Sequence, residues 1–233
     1  MMKNKILILG LVLATTFNTI AQDNGYTGGF QFKAMLGNGI FDNAPVTSET
    51  DVVSIKIQQN FGYSFGMTFR KQFTKILAVE SGLRFTQRNY TTSVDSLATN
   101  FNSAIPFRFI AYEIPLKAMV RLRASDNSFF SVSLGGQLDL YPSDVFASDN
   151  EWQVQITRRS WIQGSFIANM GWEYHPIGVG TFYGGFAFNQ PFVDPYSANV
   201  GIANSLVAVS NVRLNGAYFS LDFRYYFEVK KDK

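Results

Sequence analysis

The chain contains no cysteine and a single histidine, His175. Without thiols there is no disulfide framework and no thiolate metal site. A lipid anchor on an N-terminal cysteine is likewise not expected. One histidine leaves no His pair for a transition metal. Asp42, Glu49 and Asp51 form the only acidic set worth weighing for calcium. Their spacing fits no EF-hand loop, so they read as solvated loop charge and no metal or other cofactor is expected. No stretch approaches the length of apolar sequence that a membrane helix needs, ~18 residues or more. Gly135-Gly136 and Gly184-Gly185 open no helix and therefore cradle no phosphate. Inside strands such pairs mark bends or close approach. A net charge of +3 gives no footprint for nucleic acid.

Aromatic residues are plentiful, with 23 Phe and 11 Tyr in 233 residues. Eight runs of alternating apolar residues follow one another, at about 26–37, 60–70, 75–90, 107–123, 129–140, 161–174, 180–189 and 216–228. Long gaps (roughly 38–59, 91–106, 141–160 and 190–215) alternate strictly with short ones near 71–75, 124–128 and 175–179. Short turns on one side and long loops on the other are the pattern of an outer-membrane barrel. The expected fold is all-β, an eight-stranded antiparallel up-and-down transmembrane β-barrel.

Alternate side chains of a strand face opposite sides. Tyr112, Ile114, Leu116, Ala118, Val120 and Leu122 make one face of the fourth run, and Glu113, Lys117, Arg121 and Arg123 fall on the other. In the eighth, Phe219, Leu221, Phe223, Tyr225 and Phe227 oppose Ser220, Asp222, Arg224 and Tyr226. No charge falls on a presumed lipid face, where a basic residue costs ~2–4 kcal/mol at the midplane. Trp172 and Tyr174 are expected at one rim, Tyr90 and Trp161 at the other.

Lys3 and Lys5, the apolar run Ile6–Ala14, and Thr19 and Ala21 read as a secretory signal cut after Ala21. Residues 22–233 then form the barrel domain. Loss of the two lysines leaves eighteen basic against seventeen acidic residues. The expected location is the cell outer membrane, with both termini periplasmic. Only EVKKDK follows Phe227, so no periplasmic cell-wall-binding domain is expected.

Eight strands enclose just enough space for side chains to fill. The expected fill is an ion-pair network of Lys33, Glu80, Arg84, Glu113, Lys117, Arg121, Asp222 and Arg224. A single register, in which paired residue numbers of the third and fourth strands sum to 197, sets Arg84 against Glu113 and Glu80 against Lys117. A slip of four residues sets Glu80 against Glu113, which like-charge repulsion disfavours. Gly62 and Gly66 are expected near Arg84 and Glu80, and Lys33 opposite Asp222 across the closing seam.

Several further stretches carry a family resemblance. They are Ile20-Ala21-Gln22, Tyr112-Glu113-Ile114-Pro115-Leu116, Ser133-Leu134-Gly135-Gly136-Gln137 and the aromatic final strand Tyr218–Phe227. In these the chain resembles the PorT-like, "porin family" outer-membrane barrel proteins of Bacteroidetes. The resemblance implies an eight-stranded barrel inserted by the outer-membrane assembly machinery, with no agreed activity. Some such proteins serve type IX secretion and gliding. The charged tail after Phe227 departs from barrels that end on the aromatic.

Lipid A deacylases, palmitoyl transferases and omptin-like proteases are similar in architecture and need a histidine near the external half. His175 lies in a short turn on the opposite side, so no catalytic residues are expected and the chain reads as a non-enzyme. Val200, Ile202, Leu206, Val207 and Val209 make the last long gap unusually apolar. Two readings stand: a partner-contact surface, or extended strands packed on each other. Arg158 and Arg159, beside Trp161, are candidates to meet lipopolysaccharide or an acidic partner. The expected partners are outer-membrane lipid, lipopolysaccharide and another outer-membrane protein or complex, with no nucleic acid. The role that follows is a structural or accessory subunit. The alternative is a small-solute or ion channel, and less favoured are a lipid-modifying enzyme and a soluble lipocalin-like barrel.

Overall fold

Fourteen strands follow in chain order in a computed structural model that describes residues 25–36, 46–49, 53–96, 102–202 and 208–227. They are β1 (Tyr26–Met35), β2 (Val46–Glu49), β3 (Val53–Gln59), β4 (Gly62–Gln72), β5 (Leu77–Ser96), β6 (Asn102–Arg123) and β7 (Ser128–Leu140). Then come β8 (Val145–Ser148), β9 (Trp152–Arg158), β10 (Ile162–Tyr174), β11 (Thr181–Pro191), β12 (Tyr196–Ile202), β13 (Ala208–Leu214) and β14 (Tyr218–Tyr226). The export segment, Asp42, Asp51, Leu206, Val207 and the tail after Phe227 lie outside the described residues, as do the side chains of Glu49 and Val209.

Eight of these strands pair in a closed ring, in the order β5-β4-β1-β14-β11-β10-β7-β6 and back to β5. Every neighbouring pair is antiparallel. The closing seam sets Lys33 opposite Asp222. Tyr26 lies opposite Lys71 and Gly29 opposite Tyr226, so both described ends of the ring sit at the short-turn side. Pro115 offers no N–H to the β5–β6 ladder, and the pairing breaks opposite Gly82 and Leu83.

The faces of β5 and β6 invert part-way along. From Tyr112 to Leu122 the outward residues of β6 are apolar, while Glu113, Lys117 and Arg121 are buried inside. From Ser103 to Ala111 the order is reversed: Ile105, Phe107 and Phe109 point inward and are buried, and Ala104, Pro106 and Arg108 are exposed. On β5 the outward Leu83 and Phe85 give way to Gln87 and Asn89, and the inward Arg84 and Arg88 to Tyr90 and Val94. Phe85 pairs with Tyr112 and Gln87 with Ile110, so both strands invert at one level.

Above that level the molecule is a two-sheet sandwich. β2 and β3 add to the upper half of β5. β13-β12-β9-β8 form a second sheet, which meets the first where β8 approaches β6 and β13 approaches β2. Between the sheets lies an apolar core that includes Ile55, Phe107, Phe109, Trp152, Ile156 and Val200. Tyr196 stacks on Phe109 at 3.8 Å.

Three expectations are corrected here. The long gaps are largely strand rather than loop, because Ile55 and Ile57, Trp152, Val154 and Ile156, and Tyr196, Ala198 and Val200 each bury one face. Tyr90 is not a rim residue but lies inside the core, stacked on Phe107 at 5.4 Å. Val200 is fully buried and unavailable to a partner, whereas Ile202 is 52% exposed.

Candidate functional site: the buried ionic core

The lower ring encloses seven lysine and arginine side chains and five aspartate and glutamate side chains among the described residues, all nearly out of contact with solvent. They arise because every second residue of each ring strand faces inward, where alternation places polar groups. Buried charge is tolerated only when paired and hydrogen-bonded, and the pairing is dense.

Next to the short turns, Glu173 of β10 is the hub. Its carboxylate accepts from Arg70 Nη2 at 2.8 Å, Arg70 Nη1 at 3.1 Å and Arg121 Nε at 2.9 Å. The Arg70 guanidinium covers the Tyr226 ring at 4.0 Å. In the middle, Glu80 of β5 meets Lys117 Nζ at 2.5 Å and Arg224 Nη1 at 2.7 Å, with a hydrogen bond from the Tyr226 hydroxyl. Asp222 of β14 accepts from Arg224 Nη2 at 2.5 Å, Gln31 at 2.6 Å and Asn169 at 2.7 Å. Nearest the sandwich, Glu113 of β6 accepts from Arg84 at 2.9 Å and from the Tyr218 hydroxyl at 3.0 Å. Arg88 lies 3.5 Å from the same carboxylate and donates to the Gly216 carbonyl at 2.7 Å. Gln137 accepts from Arg84 and donates to Asp139 at 2.6 Å.

The structure brings seven of the eight residues read from sequence into ion pairs: Glu80, Arg84, Glu113, Lys117, Arg121, Asp222 and Arg224. Glu80 and Lys117, and Arg84 and Glu113, stand directly opposite one another in the β5–β6 register. Lys33 departs from expectation. It faces Asp222 in the ladder, yet among the described residues its buried Nζ has no hydrogen-bond partner, because Arg224, Gln31 and Asn169 occupy that carboxylate. The expected placement of Gly62 by Arg84 and Gly66 by Glu80 is shifted by four residues, and it is Gly66 that lies opposite Arg84. Gly62 instead sits against the Arg88 backbone, and Glu80 stands opposite Arg70. A Cβ on Gly66 would fall 2.1 Å from the Leu83 carbonyl oxygen, so the close backbone approach there requires glycine.

Arg70, Arg88, Asp139, Glu173, Tyr218 and Tyr226 complete the core and were absent from the sequence-derived set. Arg70, Asp139 and Glu173 carry the inward parity of their strands, which is the signal that identifies them. The parity of Arg88 was hidden because it lies where the outward face of β5 has already turned polar.

His175, in the turn after β10, places Nδ1 2.8 Å from Thr181 Oγ1, while Nε2 lies 2.8 Å from Arg121 Nη2 and 3.4 Å from Glu173. The outline is that of a hydroxyl, imidazole and carboxylate in series. Arginine only donates, so Nε2 presents its lone pair to Arg121 and Nδ1 carries the proton toward Thr181. That tautomer does not take a proton from the hydroxyl. Among the described residues no group of three or more His, Asp or Glu is arranged to hold a metal. Trp161, at the other end of β10, is exposed, and so is Arg159, whereas Arg158 donates to the Tyr141 carbonyl at 2.7 Å and pairs loosely with Asp144.

No protein-family model matches the chain, and no curated protein does. Among solved structures, the chain is similar to the outer membrane protease OmpT from Escherichia coli. The identity is 9% over 88% of this chain and 95% of that one, with a TM-score of 0.32. It is also similar to the beta domain of the Bordetella autotransporter BrkA, at 9% identity over 88% of this chain and 100% of that one, with a TM-score of 0.25.

Proposed function

We propose that the chain is an integral outer-membrane β-barrel of the PorT-like kind with a plugged lumen. In this reading it works as a structural or accessory subunit of an outer-membrane complex, through its external sandwich rather than by catalysis. The observation that carries this is the face inversion. Below it, the outward side chains of β6 from Tyr112 to Leu122 are apolar and the inward ones charged. At ~3.3 Å per residue and a tilt near 40°, that stretch is roughly 25 Å tall, the height of the apolar band of outer-membrane barrels. Above it, the polar-out, apolar-in order is that of a protein in water. A soluble lipocalin-like barrel would instead keep its apolar residues inside along the whole strand.

Two barriers in series support a plug. The ionic core fills the ring, and the Phe107, Phe109 and Trp152 core lies over its upper mouth. The Tyr112–Leu116 stretch behind the family resemblance has a structural duty at each step. Tyr112, Ile114 and Leu116 face outward, Glu113 anchors the upper ion pairs, and Pro115 breaks the ladder. With short turns in the periplasm, both termini are periplasmic and the sandwich stands outside the cell. The partner surface assigned to the last long gap moves accordingly to the polar outer faces of the sandwich, where Lys56, Arg108 and Arg213 are exposed.

The test is recovery from outer membranes in mild detergent, heat-modifiable gel migration and identification of what co-purifies. A stoichiometric partner supports the accessory role. A soluble monomer without detergent overturns the membrane reading. Steady, ion-selective conductance in planar bilayers would replace the plug with a porin-like channel.

A further inference from the structure

At the level of the inversion, two connections cross from the apolar wall to the polar sandwich. One joins β9 to β10, the other β11 to β12. They are tied together, since the Arg159 amide donates to the Pro195 carbonyl at 2.9 Å and Gln163 Nε2 donates to the same oxygen at 3.2 Å. Between them lies a pocket of about 340 Å³ lined by Arg159, Asp194, Tyr196, Ser197 and Arg213. Ser197 and Arg213 are direct cross-strand partners on the outer face of the sandwich. Arg159 and Arg213 are exposed, and among the described residues neither guanidinium has a carboxylate within ion-pair distance, in contrast to Arg158.

The surface beneath the pocket is apolar. Trp161 is 64% exposed and Phe192 69%, each two residues along the chain from a pocket residue, Arg159 and Asp194 respectively. Phe192 is fixed rather than dangling. Its amide donates to Gly164 at 3.0 Å, and its ring occupies the space a Cβ on Gly164 would need. Aromatic side chains below and unpaired arginines above reproduce, in one vertical step, the division between acyl chain and headgroup.

We infer that this pocket binds the phosphorylated headgroup of a lipid in the surrounding outer leaflet, a step that rests on the membrane reading above. The two guanidiniums offer planar, charge-assisted donors to phosphate oxygens, and the Ser197 hydroxyl adds a third. Asp194 accepts from a hydroxyl of the headgroup, which favours a phosphorylated sugar over bare phosphate. Trp161 and Phe192 lie along the first segment of the acyl chains.

The full-length protein in non-ionic detergent is incubated with phosphorylated lipid A or with the same lipid after enzymatic removal of its phosphates, and retained lipid is counted by native mass spectrometry. The wild type should retain the phosphorylated form at least about tenfold better, as expected when two charge-assisted contacts are lost together. R159Q/R213Q should abolish the preference, and R123Q, exposed at the short-turn end of the ring, should leave it intact. Equal retention of both lipids, or an unchanged preference in R159Q/R213Q, overturns the site. Inorganic phosphate that raises Tm as much as the lipid does overturns the lipid as its source. Fractionation and heat-modifiable migration are read on the same samples. A membrane-embedded wild type without lipid preference sinks the site alone, and a chain soluble without detergent sinks the membrane reading with it.

Discussion

Arg84 of β5 and Glu113 of β6 stand directly opposite one another in the strand ladder and join through Nη2 and Oε2 at 2.9 Å, with neither side chain in contact with solvent. The same carboxylate accepts from Tyr218 and lies 3.5 Å from Arg88, so it is the ion-pair partner of both upper arginines among the described residues. Removing it leaves two buried arginines uncompensated. E113A is therefore expected to destabilise the protein by ~3–5 kcal/mol, measured by denaturant unfolding in detergent. The exchanged pair R84E/E113R should recover part of the loss. A cost below ~1 kcal/mol, the range of surface pairs, would mean that water reaches the pair.

The inversion on β6 makes a depth-dependent expectation. Leu116 is 62% exposed on the outward wall within the apolar band, and Ile110 lies above its upper edge beside the exposed Arg108. L116R should cost ~2–4 kcal/mol in reversible folding into lipid vesicles, and I110R less than ~1 kcal/mol. In detergent-free buffer a soluble barrel would show no such contrast. Equal costs at the two positions in vesicles would remove the membrane boundary from this level.

The ring strands were legible because their two faces meet opposite environments, and period-two alternation records that directly. The β5–β6 register was legible for a different reason. The charges at 80, 84, 113 and 117 admit a single neutral pairing, and the structure carries it. The sandwich was not legible, although β3, β9 and β12 alternate as cleanly as the ring strands. Alternation says that one face is covered without saying by what. Ile55, Trp152 and Val200 cover one another from segments far apart in the chain. The valines of the last gap therefore read equally well as a contact surface or as packed strands, and for Val200 the packed reading holds. Lys33 marks a second limit. Its ladder position followed from the seam, but competition from Arg224, Gln31 and Asn169 for Asp222 is set by side chains from three other positions.

The sandwich and the ring should fail separately. Val200 is fully buried between the two upper sheets, so V200D places an unpaired carboxylate in an apolar core, at a cost of several kcal/mol. The ionic core and the apolar wall below are not touched by that change. Faster tryptic cleavage after Arg158 and Arg213 is expected, with heat-modifiable migration unchanged. Loss of heat-modifiable migration in V200D would mean that the sandwich is required for ring closure.

Acid should loosen the same region at one hairpin first. Asp149 precedes β9, and its Oδ1 accepts from the Trp152 amide at 2.6 Å and the Glu151 amide at 2.9 Å, while the Ser103 hydroxyl donates to Oδ2. Desolvation, the largest single influence, pushes this carboxyl up, but the hydrogen bonds from Ser103, Trp152 and Glu151 together outweigh it and hold the group below the usual carboxylate range. A group whose folded value is depressed contributes stability above its unfolded value, near ~4, and loses it as pH falls through the folded value. The turn that seats Trp152 in the apolar core should therefore begin to open below about pH 4. Hydrogen exchange at the Trp152 amide, followed from pH 6 to 2.5 and corrected for intrinsic rate, should show protection falling in that window. D149N keeps an acceptor oxygen but has no proton to gain, so its protection should be lower than wild type at pH 6 and flat across the same range. Parallel curves for the two proteins would place the acid-sensitive group elsewhere in the sandwich.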